Sequence, residues 1–203
     1  MIVQEAVKFF AETGFEGQTR ELAKRLGVTQ PLLFHYFPTK EALIDRVYQE
    51  VYMSHWDPNW ETLLKDRSIP LRDRMIHFYK DYERVIDNPE WVRIFLFSAL
   101  KHFDIVQRYM TLVRERIFKR VCSESRIHFG LPDPRELPIS EIEIELVWAL
   151  HASIFYISIR KWVYSLEKPK DIDALIEVLV DSFLGEFRAA AERSIQHANQ
   201  LRL

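Results

Sequence analysis

The sequence predicts an all-α protein, in which a three-helix unit at the amino terminus precedes a longer region of helices. Apolar residues recur at helical spacing in most segments, and helix caps and breakers separate those segments. Five glycines in 203 residues are few for a sheet protein with many turns. The content of 48% hydrophobic and 13% aromatic residues excludes a disordered chain and allows one good core or two modest ones.

The second helix of the amino-terminal unit is predicted over Arg20 to Leu26, after an amphipathic opening stretch that forms the first. Its apolar residues at i, i+1 and i+4 make one stripe, and Thr19 is placed to cap its start. Gly27 follows where a helix end needs a residue that tolerates positive φ. The apolar side chain of Val28 can then pack back against the helix that has just ended. We therefore expect a short and well-defined turn after this helix.

The third helix is predicted to start at Gln30. Thr29 is a good N-cap, and Pro31 falls in the first turn, where its missing N–H forfeits no helical bond. Leu33 and Phe37 form an inward pair at i and i+4. The residues left for the outer surface and the tip are Gln30, Pro31, Leu32, Phe34, His35 and Tyr36. Two short helices around a tight turn are suited to placing the second of them in a DNA groove.

The remaining helices are predicted from their caps and breakers. Pro38 stops the third helix, Thr39 caps the fourth, and Lys40 lies in its first turn. Further helices are predicted from Ser68 and Pro70 to Ile86, over Trp91 to Lys101, over Ile105 to Phe129, from the capping box of Ser140 and Glu143 to about Leu166, and from Asp171 to about His197. We expect two domains, a helix-turn-helix domain over residues 1–52 and a second helical domain over residues 53–203.

Three stretches of the amino-terminal unit follow a familiar pattern: AVKFFAETGFEG, TRELAKRLGV and LLFHYFPTKEAL. Over residues 2–52 they resemble the DNA-binding domain of the TetR family of bacterial transcriptional regulators. The resemblance implies a double-stranded DNA operator as partner. It also implies that Gln30 contacts a base edge, Pro31 a thymine methyl group and Arg20 a guanine. The chemistry agrees, since glutamine can bond adenine N6 and N7 and arginine can fork onto guanine O6 and N7.

The resemblance extends to residues that hold the DNA backbone. Phe34, His35, Tyr36 and Lys40 correspond to positions that touch phosphates, which position a protein rather than specify a sequence. Leu32 and Phe34 stand where the family usually has hydroxyl side chains, so we expect weaker backbone affinity. The full set of implied DNA contacts is Thr19, Arg20, Thr29, Gln30, Pro31, Leu32, Phe34, His35, Tyr36 and Lys40.

Charge gives this unit no general attraction to DNA. Between Met1 and Glu50 the sequence has six basic and seven acidic side chains, and the whole chain has a net charge of −2. DNA binding is therefore predicted to depend on where a few cations are placed.

The last two long helices predict a homodimer. Leu146 to Ile159 is apolar almost all round, and the apolar residues between Leu175 and Phe187 spread over more than one face. Each helix therefore needs a second surface, which the same helices of a second copy, about 140–166 and 171–197, can supply. The alternative is that these helices form the core of a larger monomer. A dimer would present two reading helices roughly 34 Å apart to a palindromic operator.

A small-molecule effector is implied by the resemblance, since regulators of this family commonly enclose one between the two functional regions. The candidate contacts are Phe78, Tyr82, Trp91, Phe95, Phe103, Trp148, His151 and Phe155. An aromatic core without a ligand explains the same residues equally simply. His151, a lone polar ring in an apolar run, is either a core histidine satisfied by a neighbour or a polar anchor for a largely apolar or aromatic effector.

The sequence gives little support to an enzyme or a metal-binding protein. No nucleophile with its base, paired carboxylates or glycine-rich phosphate loop appears, so we expect neither catalytic residues nor an enzyme. His102 with Asp104 lacks a second pair at ligand spacing, so no metal or other cofactor is expected. A DNA-bound architectural or division-control protein on the same fold, without an effector, remains the alternative.

The predicted location is the cytoplasm. The single cysteine, Cys122, cannot form an internal disulfide, and the opening stretch is not a signal peptide. We expect no membrane association, since the most apolar segment is shorter than the roughly 20 residues of a membrane span.

Overall fold

The protein is helical throughout the described residues, which confirms the predicted all-α class. A computed structural model describes residues 1–101 and 103–200, apart from the side chains of residues 197–199. The α-helices are α1 (Ile2–Thr13), α2 (Thr19–Arg25), α3 (Gln30–Tyr36), α4 (Lys40–Val51), α5 (Asn59–Lys65), α6 (Leu71–Ile86), α7 (Pro89–Leu100), α8 (Ile105–Val113), α9 (Lys119–His128), α10 (Glu141–Trp162) and α11 (Ile172–Gln200). A 3₁₀ turn at Met53–His55 follows α4, and a π-helix at Arg114–Phe118 joins α8 to α9.

The chain forms two compact units. The first comprises Met1–Trp56 and Val85–Tyr109, and the second comprises Asp57–Arg84 and Met110–Leu203. The first unit thus contains α7 as well as α1 to α4. The functional division at residue 52 stays a prediction.

The core of the first unit is built on α1, which packs against both α4 and α7. Ala6, Phe9 and Phe10 are almost fully buried along one side of α1, and each large apolar side chain buried this way contributes about 1.5–3 kcal/mol. The loop after α1 passes close to this core, because a Cβ on Gly17 would lie 2.7 Å from the Phe9 ring. A glycine there lets α2 start beside α1.

The turn between α2 and α3 has the predicted geometry. Gly27 has a φ of 68°, which confirms the predicted left-handed position, and the Val28 amide donates back to the Ala23 carbonyl at 3.0 Å. The start of α2 differs from the prediction, since Gln18 is its N-cap residue and has no side-chain capping bond. Thr19 is the first helical residue instead, and its hydroxyl accepts a hydrogen bond from Gln30.

The second unit is organised around α9, which packs against α5, α10 and α11. A buried ion pair ties its carboxyl end to α10: Arg126 donates to both carboxylate oxygens of Glu143 at 2.7 Å, with side chains 1% and 0% exposed. Arg126 also donates to the carbonyls of Pro132, Leu137 and Pro138. One guanidinium therefore satisfies the backbone of the proline-rich loop that leads to α10.

Several helix boundaries differ from the prediction. Residues 105–128 are helical as expected, but a π-turn interrupts the α-helical hydrogen bonding at Arg114–Phe118. Helix α5 was not predicted, because its seven residues are too few for a clear periodic pattern. Helix α10 starts with the predicted capping box of Ser140 and Glu143 but ends at Trp162 rather than near Leu166. The chain turns out of the helix there, and Ser165 has a φ of 56°.

Helix α10 is the one helix of the described residues that is long and apolar enough to cross a membrane. Of its most apolar window, 44% is buried inside the protein. Core helices of soluble proteins have the same length and composition, so this feature is weak evidence for a span.

Candidate functional site

The tip of α3 is shaped by local signals on either side of it. The Thr29 hydroxyl accepts the Leu32 amide at 3.4 Å, and Pro31 occupies the first turn, where it forfeits no helical bond. Leu33 is 1% exposed and anchors this short helix in the core of the first unit. Pro31, Leu32, His35 and Tyr36 are exposed, whereas Gln30 and Phe34 are half-buried. The helix therefore presents its tip and one side to solvent.

Gln30 is held from the neighbouring helix. Its Nε2 donates to the Thr19 hydroxyl at 3.0 Å, and Thr19 is only 8% exposed. The two residues lie at the amino-terminal ends of α3 and α2, so this bond joins the two ends. A groove of about 520 Å³ opens beside them, lined by Gln18, Arg20, Glu21, Ala23, Lys24, Val28, Thr29 and Gln30.

The cations of this unit divide into paired and available ones. Arg25 donates to Glu12 at 2.7 Å, and Arg46 lies 2.8 Å from Glu50. Three other cations form no ion pair within residues 1–101 and 103–200: Arg20, Lys24 and Lys40. Arg20 and Lys24 line the groove, and Lys40 lies in the first turn of α4. Arg20, Lys24 and Lys40 are therefore available to a ligand with negative charge.

The structure brings the predicted DNA-contact residues to one region of the first unit. Thr19 and Arg20 begin α2, Lys40 begins α4, and the others belong to α3 or its cap. Leu32 is 43% exposed and Tyr36 60%, so both side chains are accessible to DNA. Rings of His35 and Tyr36 lie edge to face at 5.6 Å.

The predicted effector contacts fall into separate clusters. Within the second unit, Phe78 stacks on Tyr82 at 5.9 Å, and the Tyr82 ring lies 4.5 Å from the His151 ring. Trp148 approaches His151 edge to face at 6.4 Å, while Phe155 lies half-buried further along α10. Within the first unit, Trp91 stacks on Phe95 at 5.2 Å and Phe103 packs on Phe15 at 5.1 Å.

His151 is the polar centre of the second-unit cluster. Its Nε2 shares a hydrogen bond of 2.9 Å with the Tyr82 hydroxyl, and the residue is 3% exposed. Burial lowers the pKa of His151 to about 3, so its imidazole is neutral at physiological pH. Nδ1 is buried and has no hydrogen-bond partner in the described part of the chain. A buried polar atom without a partner is unfavourable, and a ligand could satisfy it.

Sequence reasoning missed three aromatic neighbours of this cluster. Trp60 on α5 packs against Phe78 at 5.5 Å, and Phe118 in the π-helix lies 5.0 Å from the His151 ring. Tyr79 lies 6.3 Å from the same ring, and its hydroxyl is buried without a partner in the described residues. The sequence shows that these residues are aromatic. It does not distinguish them from the other aromatic residues, because their contacts are with residues distant in the sequence.

Within the described residues, no cluster of three or more histidine, cysteine, aspartate or glutamate side chains could hold a metal ion. His102, which the sequence pairs with Asp104, lies outside the described residues.

The helix-turn-helix unit is similar in sequence to known proteins. Residues 2–47 match the family described as bacterial regulatory proteins, tetR family. Tetracycline repressor proteins of class D and class C from Escherichia coli are 29% and 33% identical over 92 residues. That stretch is 41% of this chain and 42% of each relative. The chain therefore matches less than half of the length of these curated relatives.

Solved structures extend the likeness over most of the chain. A TetR family transcriptional regulator from Pseudomonas syringae pv. tomato is 16% identical, with a TM-score of 0.60 over 91% of this chain and 93% of that one. The TetR family regulator PfmR from Thermus thermophilus is 18% identical, with a TM-score of 0.61 over 90% and 96%. At these identities the likeness concerns the fold. The helix-turn-helix unit of this chain is therefore similar to that of the TetR family, and the fold of most of the chain is shared with solved regulators of that family.

Proposed function

We propose that this chain is a transcriptional repressor that binds a palindromic DNA operator as a homodimer and is released by a small, largely apolar or aromatic effector. The observation that carries the proposal is the tip of α3. There Gln30 and the exposed Pro31 stand at the helix start, and Gln30 shares a groove with the unpaired Arg20. These side-chain types read base edges in the major groove.

Each side chain at the tip has a role in this proposal. Gln30 bonds adenine through N6 and N7, Arg20 forks onto guanine, and Pro31 contacts a thymine methyl group. Phe34, His35, Tyr36 and Lys40 position the helix on phosphates. Support for these roles comes from their shared region and from the cations left unpaired there, in a unit with no basic excess.

The dimer surface is assigned to α10 and α11. Both helices bury one side in the second unit and leave a stripe of small or apolar side chains exposed at helical spacing. The stripe of α10 contains Ala149, Ala152, Ser153 and Tyr156, and the stripe of α11 contains Ala174, Val178, Ser182 and Gly185. Val178 is 59% exposed and Tyr156 48%. The same two stripes of a second copy would cover these side chains in an isologous four-helix contact.

The effector is assigned to the aromatic cluster of the second unit. Its walls are apolar, and its polar atoms include the neutral His151 ring and the Tyr82 hydroxyl. A ligand with an aromatic or aliphatic body and one neutral hydrogen-bonding group matches these walls. Trp60 carries the cluster onto α5, which lies in the segment between Pro58 and Pro70.

Coupling follows from thermodynamic linkage. An effector that binds more tightly to a conformation with wrongly spaced reading helices weakens DNA binding, and DNA weakens effector binding by the same factor. We assign the coupling to the Pro58 to Pro70 segment. Without effector the dimer occludes the promoter, and with effector it leaves.

Selection of bound fragments from the source genome tests this function. The purified protein and the Gln30→Ala variant are compared at near-physiological salt, with Gln107→Ala, an exposed glutamine on α8, as control. We expect a few palindromic sites that the first variant loses and the control retains. Hundreds of dispersed sites would instead indicate an architectural or division-control protein. Equal losses on specific and random DNA for Gln30→Ala would refute its reading role.

A further inference from the structure

The bond between Gln30 and Thr19 restricts what Gln30 can offer to a base. A primary amide has two N–H donors on Nε2 and an acceptor, Oε1. One of the donors is committed to the Thr19 hydroxyl at 3.0 Å. The side chain therefore has one N–H and one C=O left for DNA.

This remaining pair matches adenine and not guanine. In the major groove adenine presents the N7 acceptor beside the N6 donor, so it needs one donor and one acceptor side by side. Guanine presents two acceptors, N7 and O6, and would need two donors. An amide that turns freely can present its NH₂ group to guanine, whereas an amide tethered through Nε2 brings Oε1 against O6. The tether therefore favours adenine.

Thr19 is well suited to hold the amide still. It is 8% exposed and is the first residue of α2, so its backbone is fixed by the helix. Its branched Cβ restricts rotation about χ1, which keeps the hydroxyl in one place. Gln30 itself is half-buried at the start of α3, where Thr29 caps the helix. Both ends of the bond are thus anchored before DNA arrives.

We propose that Thr19 is a specificity-determining positioning residue: it acts through Gln30 and makes this side chain select adenine. The proposal rests on the function proposed above, in which Gln30 reads a base. It requires no contact of Thr19 with DNA.

Isosteric substitution tests the proposal. Thr19→Val keeps the shape and removes the hydroxyl, and Thr19→Ser keeps the hydroxyl. Each variant is titrated, at fixed salt, with the selected operator, with operators carrying each other base pair at the Gln30 position, and with random DNA. We expect wild type and Thr19→Ser to prefer adenine by about five- to hundredfold, the discrimination that one bidentate pair provides. Thr19→Val should show a smaller adenine preference, measured as the ratio of its affinities for the adenine operator and for the other operators, so that a uniform change in backbone affinity does not affect the result.

The outcomes separate the inference from the function. A Thr19→Val variant that keeps the full adenine preference overturns the positioning role. In the background of Gln30→Ala, Thr19→Val should add no further loss at that base pair, and an independent loss would also overturn it. If the wild type selects no operator, the proposed function itself fails.

A second measurement uses the wild-type protein alone, so it does not depend on whether a variant folds. In the DNA-free wild type, the side-chain amide protons of Gln30 should exchange with solvent more slowly than those of the exposed Gln107 and show a nuclear Overhauser effect to Thr19. Exchange as fast as that of Gln107, without this contact, would overturn the tether.

Discussion

At the residue scale, the proposed function assigns base recognition and phosphate attraction to different side chains. Arg20 lines the groove beside Gln30, whereas Lys40 begins α4, and both are without ion pairs in the described residues. Arginine presents a planar fork that matches guanine, and lysine acts as a point charge on phosphate.

We expect different consequences when these two cations are removed. Arg20→Ala should cost about 1–3 kcal/mol on the operator and relax specificity at one base pair. Lys40→Ala should weaken all sequences alike and reduce the dependence of binding on salt by about one phosphate contact. Titrations of operator and random DNA at several salt concentrations measure both effects. A sequence-specific loss for Lys40→Ala would contradict this assignment.

The buried imidazole of His151 makes stability depend on pH. Burial lowers its pKa to about 3, below the roughly 6.5 of an unfolded chain, so the unfolded state binds the proton more readily between these values. Its contribution is fully present above pH 6.5 and is lost as the pH falls. At pH 5 the loss should reach about 2 kcal/mol.

Denaturant unfolding at pH 7 and pH 5 measures this loss. His151→Phe should remove this part of the pH dependence, while His77→Phe, at an exposed position on α6, should keep the wild-type slope. An unchanged slope in His151→Phe would show that the imidazole does not titrate in this way.

Local bonds at this scale could be predicted, and distant ones could not. The caps at Thr29 and Thr39 involve residues three positions apart, so the pattern alone identifies them. The bond from Gln30 to Thr19 spans eleven positions, and that from Tyr82 to His151 spans 69. Such pairs depend on helix packing. Thr19 was predicted to be an N-cap because a threonine hydroxyl can also accept a hydrogen bond from a backbone amide of its own helix.

At the scale of elements, one buried ion pair holds the connection between α9 and α10. Glu143 caps its own helix through Ser140 and accepts two bonds from Arg126. Burial opposes ionisation of Glu143, but these bonds outweigh it and hold the pKa of this carboxyl below its usual range.

Removing the arginine alone should be costly. Arg126→Met is expected to lower the free energy of unfolding by about 3–5 kcal/mol, since it leaves a buried carboxylate without its counter-charge. Adding Glu143→Gln should recover much of this loss, because glutamine can still form the capping box. Arg135→Met, which removes a 90% exposed partner of Asp133, should change stability by less than about 1 kcal/mol. A double variant no more stable than Arg126→Met would contradict the role of uncompensated charge.

Helix starts were predicted more accurately than helix ends. The capping box at Ser140 is a strong local signal, and α10 begins there. The apolar pattern continues through Tyr164 and Leu166, which are more than half exposed and no longer helical. Apolar periodicity therefore indicates where a helix could continue, and the backbone turn near Ser165 determines where it stops.

At the scale of the whole molecule, the proposed dimer makes the function depend on α10 and α11. We expect Val178→Glu to convert the dimer into monomers, because two carboxylates would be buried near the centre of the contact. Val178 is 59% exposed in a single copy, so the variant should still fold. Operator affinity should fall strongly, since a monomer engages one half-site.

Sedimentation velocity and operator titration test this together. Ile127→Glu, at a 42% exposed apolar position on α9, is the matched control and should remain dimeric. A monomeric wild type, or a dimeric Val178→Glu variant, would contradict the assigned surface.

The all-helical class was predictable at this scale because periodicity and caps recur along the chain. The assignment of each helix to one of the two compact units was not predictable, because it depends on contacts between helices that are distant in the sequence. Trp91 and Phe95 belong to α7, which packs on α1 in the first unit, far along the sequence from its partner. Tyr82 and His151 belong to the second unit. The predicted effector contacts could therefore be selected from the sequence as aromatic side chains, but they could not be assigned to one unit or the other.

Chain length is less consequential at Arg114–Phe118 than elsewhere in the long helix. A π-turn holds one residue more than an α-turn, so deleting one residue there would let the backbone continue as a regular α-helix. The helix downstream would keep nearly its present rotation, because the π-turn already accommodates the extra residue. A deletion at the start of α9 would instead turn everything after it by about 100° and shift it by about 1.5 Å, which would take Arg126 away from Glu143. The loss of a single codon would therefore be absorbed in one stretch of this helix and would re-aim a whole helix face in the next.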